Sequence, residues 1–128
     1  MGFEFKSKTI ELDIAGNTFT LEMNNDLQIK MDELSKRAFE VAAEMEKFES
    51  YSDALKRGCE VFSSEIDRLL GAGACARIFE GRAISYFDLT DVAMYAINEI
   101  NGHMNRRISQ YKQQAQNARH PYKKKRYK

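Results

Sequence analysis

The sequence predicts an α+β fold, mostly α: an N-terminal β-hairpin packed on a bundle of three main helices, followed by a disordered basic tail. Three observations predict it. Residues 3–23 alternate apolar and polar side chains around a glycine-containing turn. Three later stretches carry apolar residues every three or four positions. The last stretch is basic and holds no acid. A chain of 128 residues suits one domain. We place that domain at 1–118 and the tail at 119–128. Eight Phe and six Tyr supply large burial units, so a core forms without covalent staples.

The hairpin spans 3–23. Phe3, Phe5, Ile10, Leu12 and Ile14 are expected inward, with Thr9, Glu11 and Asp13 opposite. Ala15-Gly16-Asn17 is the turn, and Phe19, Leu21 and Met23 complete the apolar face. An isolated hairpin is marginal in water, so it must pack on the helices or pair with another chain through its open edge.

The first helix is expected over about 26–49, with Asn24, Asn25 or Asp26 as its cap. Leu27, Met31, Leu34, Ala38, Val41, Met45 and Phe48 repeat at heptad spacing. This seam serves either an amphipathic helix of the domain's own core or bundling between chains. The second helix is expected over 52–70, with Ser52 as cap and Leu55, Cys59, Phe62, Ile66 and Leu69 as its seam. A short polar loop between two such helices makes a helical hairpin. Gly71 is expected to end it in the left-handed conformation. A short helical turn follows at 74–79. The third long helix is expected over 88–116, capped by Asp88. Its stripe is Leu89, Val92, Ala93, Ala96, Ile97, Ile100, Met104, Ile108 and Tyr111, and Pro121 ends anything helical before it.

Charge is distributed unevenly. Residues 1–105 hold 11 Lys/Arg and all 19 Asp/Glu, whereas 106–128 hold nine Lys/Arg and no acid, so a body of net −8 precedes an end of net +9. Lys123, Lys124, Lys125 and Arg126, flanked by Tyr122 and Tyr127, form a contact surface for an acidic protein face, including this chain's own body, or for nucleic acid.

No stretch carries a recognisable active site, so no enzymatic role and no cofactor is expected. Gly71-Ala72-Gly73-Ala74-Cys75-Ala76 follows a helix, whereas a dinucleotide-binding glycine loop must follow a strand. Cys59 and Cys75 are 16 positions apart and form no zinc-type pair. His103 has Glu99 four residues before it, too few ligands for a metal. The start, MGFEFKSK, lacks a signal-peptide pattern, and Lys6 stands where N-myristoylation wants Ser or Thr. A cytosolic protein with reduced thiols is expected.

The order of features, with Asp67-Arg68-Leu69-Leu70-Gly71, Ile78-Phe79-Glu80-Gly81-Arg82 and Asp88-Leu89-Thr90-Asp91-Val92, resembles the tail assembly chaperones of long-tailed, siphovirus-type phages and prophages of Gram-positive bacteria. The resemblance covers roughly residues 3–115 and excludes the basic tail. It implies a non-enzymatic protein of the host bacterial cytoplasm, not retained in the mature virion. Such a protein coats the helical tape measure protein, keeps it soluble and forms homo-oligomers. It further implies contact with the tail tube protein through a frameshifted longer form. Leu27, Met31, Leu34, Val41, Met45, Phe48, Phe79 and Arg82 are the residues expected to meet the client or another copy. The alternative is a nucleic-acid-associated protein that binds through its basic tail.

Overall fold

Alternation in the first third of the chain produces two antiparallel strands, β1 (Thr9–Ile14) and β2 (Asn17–Glu22). In this computed structural model the described residues are 2–126, with side chains described through residue 118. Ile14 pairs with Asn17 across a two-residue turn in which Ala15 and Gly16 both have positive φ, 52° and 80°. Ile10, Leu12, Ile14, Phe19 and Leu21 face the core, and the outer face is Thr, Asp and Glu.

The strand does not reach back to Phe3 and Phe5, which are 80% and 90% exposed. Two reasons account for this correction. The phenylalanines sit at odd positions and the buried isoleucines and leucine at even ones, so a continuous strand would put them on opposite faces. Continuing the register would also set residues 3–7 against 24–28, which form the start of a helix.

That helix, α1 (Asn25–Met45), is capped by Asn24, whose Oδ1 accepts from the Leu27 N–H at 2.9 Å. It stops at Met45, short of the expected end at 49, and leaves Phe48 in the connection. The next, α2 (Tyr51–Leu70), is capped by Ser50 rather than Ser52, with Ser50 Oγ accepting from the Asp53 N–H at 3.2 Å. Its buried face is Ala54, Gly58, Val61, Phe62, Ile66, Leu69 and Leu70, so Leu55 and Cys59 of the expected seam lie only at its margin. Gly58 admits the Tyr86 ring. A Cβ there would lie 2.7 Å from Tyr86 Cε1 and 3.0 Å from Met45 Cε.

Gly71 ends α2 with φ 118° and ψ 154°. This is extended, positive-φ backbone rather than the expected left-handed helical conformation. It is open in practice only to glycine. The expected short turn is present as α3 (Ala74–Ile78). The last helix, α4 (Tyr86–Arg126), begins two residues before Asp88. Ser85 caps it, accepting from the Asp88 N–H at 3.1 Å. The helix runs past the expected end at 116 and through Pro121, which was expected to stop it, to Arg126; no Gly or Pro interrupts 103–120. The disordered tail expected at 119–128 is therefore corrected for 119–126, whose backbone continues α4; the side chains from 119 onward and residues 127–128 lie outside the described set.

The core is one cluster filled from every element, with Ile10, Leu12, Leu34, Ile66, Leu89 and Ile100 almost fully enclosed. Helix α2 packs on α1, α3, α4 and β2, while β1 lies against α4. Ion pairs link α1 and α2: Arg37 meets the mostly buried Glu65 at 3.8 Å, and the more exposed pairs Arg57–Glu44 at 3.9 Å and Arg68–Glu33 add at most ~1 kcal/mol each. Among the described residues, no helix is long and apolar enough to cross a membrane.

Candidate functional site

The expected partner-binding seam is mostly spent inside the molecule. Leu27, Met31, Leu34 and Val41 are each at most 5% exposed and belong to the core, as does Phe79. Met45 is half-buried against that core. Phe48 is 37% exposed, and Arg82 is exposed with its guanidinium 3.2 Å from Asp88 Oδ2. The heptad stripe of α1 is therefore a core stripe, closed over chiefly by α2. Lys123, Lys124, Lys125 and Arg126 have side chains outside the described set.

The accessible apolar surface lies elsewhere. At the open end of the hairpin, a groove of about 340 Å³ is lined by Met23, Met104, Ile108 and Tyr111, with Lys8, Asn24, Asn25, Gln28 and Arg107 at its rim. Local structure makes it. β2 ends at Glu22 and Asn24 already caps α1, so Met23 is held in the joint between strand and helix. Helix α4 runs on past the last core residue, Ile100, and carries Ile108 and Tyr111 out to 52% and 48% exposure. Beside this groove is a hollow of about 460 Å³ under the N-terminal segment, where Phe3, Lys6 and Lys8 face Arg107 and Tyr111. Among the described residues neither Lys8 nor Arg107 is ion-paired, so the rim is cationic.

Two further surfaces stand out. A hollow of about 250 Å³ at the hairpin turn brings Ile14, Ala15, Ile78, Phe79, Arg82 and Val92 together. Asn17 ties that turn to α3, its Nδ2 donating to the Ala15 carbonyl at 3.3 Å and the Arg77 carbonyl at 3.2 Å. The Arg77 guanidinium lies 4.8 Å from the centre of the Phe19 ring. On the outside of α1, Phe39 is 77% exposed between small residues, Ser35, Ala42 and Ala43.

The titratable groups add little chemistry. Burial pushes the Cys75 thiol up to about 11, helped by the nearby Asp67 charge, and Cys75 Sγ donates to the Ser63 carbonyl at 3.6 Å. Burial also raises Cys59. Neither thiol is an activated nucleophile, because activation requires a lowered value. Among the described residues, no group of three or more His, Cys, Asp or Glu is placed to hold a metal ion.

The groove residues Met104, Ile108 and Tyr111 were legible as members of the α4 stripe. That they leave the core was not, because periodicity gives a helix's face but not the length over which that face is covered.

A helical protein with an N-terminal hairpin and an open apolar groove is the class these observations define. Residues 11–128 match the family of unknown function DUF6673, and the chain belongs to that family. No curated protein and no solved structure matches it.

Proposed function

We propose that the chain is a tail assembly chaperone that binds the helical tape measure protein and self-associates in the host cytoplasm. The observation that carries the reading is the groove of Met23, Met104, Ile108 and Tyr111. An amphipathic helix lays its apolar face into such a groove, and methionines adapt to the varied side chains of a long repetitive client. The cationic rim of Lys8 and Arg107 favours clients with acidic residues flanking the apolar stripe. The family resemblance supplies the client's identity. The reading needs neither a cofactor nor a reaction. Contact with the tail tube protein through a longer frameshifted form belongs to the same proposal.

The test is co-expression with the tape measure protein of the same phage or prophage. The chain is expected to bring that client into the soluble fraction, and Ile108→Glu to abolish this without unfolding the chaperone. A client that stays insoluble with the natural chain, or equally soluble with the variant, overturns the reading. Polynucleotide retained at low salt by the full chain, and lost on truncation after Ala118, would put the nucleic-acid reading in its place.

A further inference from the structure

Beyond Arg107, α4 leaves the body. Every residue from Ile108 to Ala118 is exposed, and the helix continues to Arg126. Residues 112–126, beyond the groove, span about 21 Å of helix. A helix of this length is marginal in water without a surface to pack on. Its sequence contains Lys112, Arg119, Lys123, Lys124, Lys125 and Arg126 and no acid. Ala115 and Ala118 are small residues on the continuation of the Ile108–Tyr111 stripe, at spacings of four and three.

A surface of matching length, with acids at either end and an exposed aromatic residue between them, lies on the outside of α1. Along α1 and its C-terminal cap, Asp32 to Glu46 spans about 21 Å. Asp32, Phe39 and Glu46 follow one another at intervals of seven and all are exposed. Neither acid is in an ion pair among the described residues. Lys36 lies on the same flank and Lys47 follows Glu46, so the acidic bias that meets the arm is that of the body as a whole, net −8.

We propose that the distal arm of α4 docks on the outer face of α1 of a second copy. Phe39 inserts between Ala115 and Ala118, and the basic positions of the arm lie over Asp32 and Glu46. The body's net −8 and the end's net +9 give the joint its direction and its salt sensitivity. Because donor and acceptor surfaces differ, the contact is head-to-tail. It closes into a ring or extends as a filament along a long client. The arm beyond Tyr111 makes this joint, while Met104, Ile108 and Tyr111 stay with the groove. The inference rests on the self-associating part of the reading above. Client solubility is scored separately, so failure of either leaves the other standing.

The experiment is absolute mass by light scattering on the full chain at 50 and 500 mM salt, with two charge-swapped variants. One carries Lys123→Glu, Lys124→Glu and Lys125→Glu; the other carries Asp32→Lys and Glu46→Lys. The natural chain is expected to associate at low salt and dissociate at high salt. Each variant alone is expected to be monomeric, with an unchanged helical circular dichroism spectrum. An equimolar mixture of the two is expected to associate, since each arm then meets a face of opposite charge. A monomeric natural chain at low salt, association that persists in either variant alone, or a mixture that stays monomeric overturns the proposal. So does an arm variant that loses only polynucleotide binding while its mass is unchanged.

Discussion

Ala15 occupies the first position of a two-residue turn with φ 52°, a conformation that favours Asn or Gly. Its β-carbon costs ~1 kcal/mol there. Ala15→Asn is expected to raise stability by up to about 1 kcal/mol, measured as a higher urea midpoint at unchanged slope. Gly58 carries the opposite lesson. In mid-helix an alanine normally gains ~1 kcal/mol over glycine. Here the added carbon would enter the Tyr86 ring, and overpacking of this kind costs ~1–3 kcal/mol. Gly58→Ala is therefore expected to destabilise. The double variant Gly58→Ala, Tyr86→Ala should lose less than the sum of the two single changes, a non-additivity that a thermodynamic cycle reads directly. Nothing in the sequence around Gly58 announces a close approach, because the ring that needs the space comes from a residue 28 positions later.

At the scale of elements, the starts of α2 and α4 share a signature that separates them from their neighbours. Ser50-Tyr51-Ser52-Asp53 and Ser85-Tyr86-Phe87-Asp88 both place serine three residues before aspartate. In both, the serine Oγ accepts the aspartate N–H. The aspartates then sit in the first turn, where the helix dipole favours negative charge. A serine three positions before an acid is close to a capping box, so these boundaries were legible in the sequence. Ser50→Ala is expected to cost ~1 kcal/mol and Ser52→Ala less than ~0.5 kcal/mol, compared by thermal midpoint. Equal effects would contradict the observed cap. The ends of helices were less legible. α1 stops at Met45 although its stripe runs on to Phe48, and α4 continues although its stripe has left the core.

At the scale of the whole molecule, stability is unevenly spread. Leu89, Ala93, Ala96 and Ile100 anchor the first half of α4 in the core, whereas Ile108 to Ala118 are all exposed. Hydrogen exchange in 500 mM salt is expected to show amides from Leu89 to Ile100 protected to near the global unfolding limit. Those from Ser109 to Ala118 should exchange orders of magnitude faster. At 50 mM salt, docking on a second copy should slow the latter group. Equal protection along the helix at high salt would mean that the arm is stable by itself.

The sequence by itself determined the class of fold, the hairpin's two inner faces, the existence of three long helices and the segregation of charge. Each of these follows from local periodicity, turn chemistry or counting. It left open whether the Leu27–Val41 seam faced its own core or another chain, since both surfaces demand the same apolar spacing. Only the tertiary structure decided this: α2 closes over that seam, and Phe39, on another side of the helix, is left in solvent. Tertiary packing likewise turned Met23, from the joint between β2 and α1, and Met104, Ile108 and Tyr111, from α4, into one groove. Periodicity records which residues avoid water, and burial depends on which other elements arrive to exclude it.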